Sequence, residues 1–363
     1  MTAEIMKAKG GARAIATMTF DDGHPRTSSK LNELLPKYGS RASLMLYARK
    51  SLASKEEINL WRGILENGSL SVENHSMTHD YLTSNPQYTK PEHLCEEKYT
   101  YETKGAYDSL REAFPDQDIL AFTIPYANYV PDARKHVIKT HYAALAGECV
   151  LTDPDNAGSM QSLDPPYADP DTGRTPAGCW HNVYYARLQP IYSTTVYPQL
   201  KMENILGYLD RCVEDGGWFI TSCHGIYYKE NQDLTEDELV MLLSRMHSYV
   251  KDNKLWVATF SDAAKYLRER QNSSLLTRVF DDRFEIDLTM SDRTNDGLPL
   301  PEDVFNMPLT VRVEIDKDSA AVRYTQGDRV SVGVAFVEDG RNYAYLELVP
   351  NGGVAVVREL KFA

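Results

Sequence analysis

Thr19-Phe20-Asp21-Asp22-Gly23 sets two adjacent carboxylates at the end of an apolar run, with a glycine to permit a tight turn. Where a buried strand ends is also where α/β architectures bind ligands. A solvated Asp-Gly turn with no chemistry fits the same residues. His75-Ser76-Met77-Thr78-His79 spaces two imidazoles at i and i+4. On a helix that spacing predicts one shared face and one metal held through two ring nitrogens. Capping or surface histidines are the plain alternative. Phe122-Thr123-Ile124-Pro125-Tyr126 closes another apolar run, with Pro fixing φ at a rigid exit. Cys223-His224-Gly225 follows the apolar Trp218-Phe219-Ile220. A histidine there is either an acid–base group or a hydrogen-bonded core residue.

Alternating elements must carry these groups. Ala12–Phe20 reads as a buried strand, and Thr27–Lys37 as a helix with Leu31, Leu34 and Leu35 on one side. Ala42–Tyr47 is the next strand, and Lys55–Asn67 a helix that Gly68 stops. Helix Glu96–Phe114, strand Ile119–Ile124, helix Asp132–Thr140 and strand Tyr142–Ala146 continue the order. After Leu151–Cys179, a stretch rich in Pro, Asp and Gly that reads as a lid or insertion, the alternation resumes. Helices Met202–Glu214, Glu236–Asn253 and Ser261–Gln271 flank strands Trp218–Ser222 and Leu255–Thr259. Such a sequence implies a mainly parallel sheet with helices outside, open or closed into a barrel. From about residue 273 short β-rich runs follow one another with Gly, Asp and Asn between them. They predict a small antiparallel β-domain, a sandwich, over residues 273–363 behind a catalytic region of 1–272.

The 363 residues carry 39 Lys+Arg against 52 Asp+Glu, a net charge of −13. That balance is the reverse of what a phosphate-coating nucleic-acid binder needs, and it disfavours anionic membrane surfaces. No run is apolar enough for a membrane helix. The five cysteines are scattered without a CxxC pair, so neither a disulfide framework nor a thiolate zinc site is indicated. The residues before Gly11 lack an apolar signal core, giving a cytoplasmic expectation, or a secreted one if a leader has been removed.

Together, TFDDG, the paired histidines, the Pro-Tyr stretch and the late strand-end histidine resemble, in that order, the polysaccharide deacetylase family (NodB-like, carbohydrate esterase family 4) over roughly residues 12–270. The resemblance implies an irregular (β/α) barrel of about seven strands. It implies that Asp22, His75 and His79 hold a divalent metal: zinc first, with cobalt, nickel or manganese as alternatives. Asp21 becomes the general base, His224 the general acid, and the Tyr126 backbone N–H a donor to the oxyanion. Three protein ligands leave positions open on such a metal, which acidifies water and polarises a carbonyl. The implied activity is removal of acetyl groups from a poly- or oligosaccharide, at N- or O-linked positions. Hydrolysis of a cyclic amide C–N bond on the same scaffold, or glycan binding by a degenerate domain, are the alternatives.

Three departures stand out. Thr123 occupies the region where many members carry an arginine that pairs with the base. No Asp-Trp segment is evident, since His181 follows Trp180. Ala127 rather than Gly follows Pro-Tyr. Among the 23 tyrosines and 4 tryptophans, Tyr129 and Trp180, with Pro125, are candidates to line a carbohydrate pocket, because aromatic faces stack on sugar rings. Glu73 and Asn74 are candidates to orient the His75 ring, and His24 either reaches the site or finishes the turn. The β-domain reads as a structural or homo-oligomer-forming module.

Overall fold

A computed structural model describes residues 2–82, 95–127, 136–137, 139–147, 181–184, 191–195, 202–226, 233–294 and 297–361. The chain divides into two compact units, Ala14–Ala264 and Met1–Arg13 together with Lys265–Ala363. The single cut expected near residue 272 is therefore two cuts. Strand β1 (Ala3–Ile5) pairs antiparallel with Val311–Val313, which ties the chain start to the second unit. A three-residue strand carries too little alternation to be read from sequence.

The first unit holds strands β2 (Ala14–Asp21), β3 (Ala42–Leu46), β4 (Leu70–Asn74), β5 (Ala121–Thr123), β6 (Ala143–Gly147), β7 (His181–Tyr184), β8 (Ile191–Thr195), β9 (Trp218–Cys223) and β10 (Leu255–Val257). Their order is β7-β6-β5-β4-β3-β2-β9-β8, with β10 pairing β2. All pairings are parallel except β6 with β7. The sheet curls into a (β/α) half-barrel, the class of fold expected, with nine strands among the described residues where about seven were implied. Strands β7 and β8 were not foreseen.

Every residue of β2, β3 and β9 is buried, because parallel strands need crossover helices that cover the sheet. Helix Pro25–Leu34 buries Leu31 and Leu34. Helix Lys55–Leu65, capped by Ser54 accepting from the Glu57 N–H, buries Trp61, Ile64 and Leu65. Helix Met202–Asp215 buries Ile205, Leu209, Cys212 and Val213. Thr235 and Glu238 cap each other's backbone at the start of helix Glu236–Lys251. The predicted helix Glu96–Phe114 is a path in three parts: α-helical Glu96–Thr100, a π-helical turn Tyr101–Gly105, and α-helical Ala106–Ala113. The lid segment 151–179 lies outside the described residues.

The second unit contains β11 (Ser273–Val279), β12 (Phe284–Met290), β13 (Leu309–Ile315), β14 (Ser319–Gln326), β15 (Arg329–Glu338), β16 (Arg341–Leu348) and β17 (Ala355–Lys361). They form an antiparallel near-barrel in the order β1-β13-β16-β15-β14-β17-β12-β11. Strand β15 is the hinge of this arrangement. Its first half pairs with β14 and its second half with β16. Gly333 sits at the changeover, where a Cβ would meet the Tyr345 backbone oxygen at 2.5 Å. Asp339 and Gly340 both take positive φ in a two-residue turn from β15 to β16, the geometry that favours Asp-Gly.

No helix among the described residues is long and apolar enough to cross a membrane. Cys95, Cys212 and Cys223 are free.

Candidate metal centre

β2 runs out at Asp21, and the chain turns through two consecutive left-handed residues, Asp22 at φ 69° and Gly23 at φ 63°. Gly23 is required twice over. Its φ suits glycine, and a Cβ there would lie 2.9 Å from Leu46 and 3.1 Å from the Ser51 hydroxyl. The Lys50 ammonium donates to the Asp22 carbonyl at 2.9 Å and lies over the Tyr47 ring. His24 is exposed and starts the next helix, its carbonyl accepting from Ser28. It finishes the turn within electrostatic reach of Lys50, Asp22 and His224, and partial burial holds its imidazole below the usual value.

His75 and His79 follow β4 on a loop, not on a helix face. Ser76 at φ 74° and His79 at φ 61° are left-handed, and this curl, rather than helical spacing, brings the two rings together at 4.8 Å between centroids. The loop is tied at its backbone. His75 N–H donates to Leu46 O, Ser76 N–H to Asn74 Oδ1, and His79 N–H to Ser76 Oγ. The Ser76 and Met77 carbonyls accept from Ala48 and Arg49 N–H at the start of the short helix Ala48–Ser51.

These turns aim three ligand-type atoms at one point. Asp22 Oδ1 lies 3.5 Å from His75 Nε2 and 3.0 Å from His79 Nε2. Together they form the only such group of three found among the described residues. Buried Asp22 Oδ1 has no hydrogen bond of good geometry. His75 Nδ1 lies 2.8 Å from the Thr123 carbonyl, which can only accept, so this nitrogen carries the proton and leaves Nε2 to face the carboxylate. Burial pushes the Asp22 carboxyl up, but the facing imidazoles of His75 and His79 outweigh it and hold the group well below the usual carboxylate range. Burial works to lower His75, and Asp22 and Asp21 outweigh that and raise it. The cluster thus demands positive charge at its centre, met by protons on the rings or by a cation in their place. One oxygen and two imidazole nitrogens suit zinc and its divalent neighbours.

Asp21 is buried beside this cluster. Its Oδ2 accepts from the Ser222 hydroxyl at 3.1 Å, while Oδ1 has no hydrogen-bond partner. Burial raises its carboxyl above the ordinary value, against the opposing pull of His75 and His224. Among the described residues no arginine or lysine forms an ion pair with it, so Ser222, from the end of β9, stands where the sequence left the base without a partner. His224 follows β9, its Nε2 3.8 Å from Asp22 Oδ2. Tyr126 is left-handed at φ 60° and 48% exposed. Its ring meets His79 edge-on at 4.7 Å and stacks on Tyr81 at 3.8 Å.

The structure thus gathers Asp21, Asp22, His75, His79, Tyr126 and His224 at the carboxyl ends of β2, β4, β5 and β9. Pro125 is buried, so it braces the turn instead of lining a surface. Tyr129 and Trp180 lie outside the described residues. Glu73 and Asn74 do not touch the His75 ring. Glu73 faces away and accepts from Ser71, the Ala121 N–H and both donors of Ser261, burial pushing its carboxyl up to about 7. Asn74 instead bonds the Ser76 N–H and the Thr103 carbonyl. The orienting group is the Thr123 carbonyl, a backbone atom that residue types do not reveal. Four of the eight non-glycine residues with positive φ among those described, Asp22, Ser76, His79 and Tyr126, belong to this site. Strained backbone of this kind gathers at functional sites.

A curled parallel sheet with carboxylates and imidazoles at its strand ends defines a class of α/β protein with a candidate cation site. Residues 8–145 match the polysaccharide deacetylase family model, a stretch that takes in every motif above except Cys223-His224-Gly225. The family resemblance seen in the motifs is borne out. A gellan lyase from Bacillus sp. is 28% identical over 130 residues, 36% of this chain and 5% of that protein, so the chain spans a small fraction of this curated relative. Among solved structures, the family 4 domain of a xylanase from the hindgut metagenome of Trinervitermes trinervoides is 16% identical with a TM-score of 0.40, covering 69% of this chain and 89% of that one. An acetyl xylan esterase from Clostridium thermocellum, in complex with cobalt, is 12% identical at 0.42, with 69% and 89% covered. A family 4 pseudoenzyme from Bacillus anthracis is 12% identical at 0.41, with 70% and 66% covered.

Proposed function

We propose that this protein is a metal-dependent hydrolase that removes acetyl groups from a poly- or oligosaccharide. The observation that carries the reading is Asp22 Oδ1 facing the Nε2 atoms of His75 and His79, with the carboxylate of Asp21 buried beside them. Asp22, His75 and His79 would hold the cation, which supplies Lewis acidity toward an acyl carbonyl and toward water.

The remaining work falls to the chain's own groups. Asp21 accepts the proton of the attacking water at Oδ1, the oxygen that Ser222 leaves open. Burial lifts its proton affinity toward that of a useful base. The Tyr126 N–H donates to the oxyanion as it develops, and the left-handed backbone that directs it is fixed before substrate arrives. His224 donates a proton to the departing nitrogen or oxygen. The exposed Tyr126 ring, stacked on Tyr81, offers a face to a sugar.

Acetate release from acetylated chitooligosaccharides and acetylated xylan tests the reading, with zinc-loaded, cobalt-loaded and chelator-stripped protein compared. Release that needs the metal and is lost in D22A, H75A and H79A is the expected result. Turnover that survives all three substitutions overturns it.

A further inference from the structure

The loop that carries both histidines has its backbone donors filled from His75 to His79, and the two central ones are filled from one distant residue. Met77 N–H and Thr78 N–H donate to Glu102 Oε2 at 3.1 and 2.9 Å, and the Thr78 hydroxyl donates to Glu102 Oε1 at 2.6 Å. Met77 N–H is also shared with the Glu102 backbone carbonyl at 3.1 Å. Glu102 lies in the π-helical turn, where i to i+5 bonding replaces the regular i to i+4 ladder. The next carbonyl, Thr103 O, accepts from Asn74 Nδ2, one residue before His75. Glu102 is 2% exposed, and Thr103 is fully buried. A buried carboxylate with three donors on it is a specific arrangement, since a charge so placed is costly unless its partners are all present.

We infer that Glu102, presented by the π-helical turn, is a positioning residue that holds the His75–His79 loop in its ligand-ready curl before any metal binds. The inference rests on reading Asp22, His75 and His79 as metal ligands. Glu102 touches none of the three side chains. It fixes the backbone on which Ser76 and His79 take left-handed conformations, and so the direction of the His79 ring. Regular α-helix through Tyr101–Gly105 would change the direction in which the Glu102 side chain leaves the helix.

The test is E102Q, which keeps size and shape but replaces one acceptor oxygen with a donor facing donors. Zinc affinity is measured by competition with a chelating dye, and the cobalt-loaded protein is followed by its visible absorption. The expected result is about 10–100-fold weaker zinc binding and an altered cobalt spectrum in a variant that retains the wild-type circular dichroism. Binding within about twofold of wild type overturns the inference. Should E102Q not fold, or wild type bind no metal, amide hydrogen exchange on metal-free wild type decides separately. Met77 and Thr78 protected like β4 supports the role, and exchange at open-loop rates overturns it. Failure of wild type to bind zinc would count against the metal reading alone.

Discussion

In the unit Ala14–Ala264 every residue of β2 is buried, whereas β16 of the second unit alternates buried and half-exposed residues along its length. The first sheet is covered on its faces, so its free chemistry is confined to the strand ends, and there Asp21, Asp22, His75 and His224 meet. The second sheet keeps one face in solvent, and the structure gathers no comparable cluster among its described residues. Burial also sets the electrostatics of the first site. Burial raises the Asp21 carboxyl, whereas for His75 burial pulls downward and the facing carboxylates of Asp22 and Asp21 outweigh it.

The largest expected effect tests the chemistry assigned to the strand ends. D21N, which keeps the Ser222 contact nearly isosteric, should lower kcat/KM for acetate release by about 10²–10⁴-fold while zinc binding persists. Steady-state kinetics with a parallel metal titration checks both halves. Next comes the doubly covered sheet. Trp218 is fully buried on β9, its indole N–H donating to Thr17 Oγ1 at 3.1 Å. W218A should cost about 3–5 kcal/mol, read as a shift in the denaturant midpoint of the transition that reports on this unit.

Within the second unit the effects are smaller. G333A forces a Cβ against the Tyr345 carbonyl where β15 changes partners, and should cost about 1–3 kcal/mol in the same kind of titration. The exposed Val334 beside it is the control: V334T should change stability by less than about 0.5 kcal/mol. The last test is a slope. Glu269, buried with only the Met307 N–H on its Oε1, has its carboxyl pushed up to about 8 by burial. A raised folded-state value means the folded form binds the extra proton. Stability is therefore full below the unfolded value of 4.5 and falls as pH rises through about 8. The slope should approach about 1.4 kcal/mol per pH unit, and E269Q should flatten it.

Much of the fold was legible because buried parallel strands read as continuous apolar runs. Ala42–Leu46 and Trp218–Cys223 fall within a residue of their expected limits. Gly68, at φ 71°, ends the helix region as its type suggested. The Asp22–His75–His79 cluster was legible through residue type, but its geometry was not. An i, i+4 histidine pair is compatible with a helix or a loop, and Ser76 and His79 adopt left-handed backbone without a glycine to announce it. Glu102 carries no motif that sets it apart from the other acids of Glu96–Phe114, and the π-helical turn that buries it is not announced by residue type. Ser222 and the Thr123 carbonyl were hidden for a related reason: a hydroxyl inside a strand and a backbone oxygen carry no motif.

The pairing of β1 with β13 has a consequence for how the protein is made. Residues 3–5 leave the ribosome before Ala14–Ala264, yet Val311–Val313 emerge only after the whole of that unit has been synthesised. The curled sheet can close on itself early, while its leading segment waits for a distant mate. Until that mate arrives, β1 shows unpaired amides and carbonyls, an invitation to neighbouring chains. Their pairing is a long-range docking event of the kind that slows folding, carried by one very short strand.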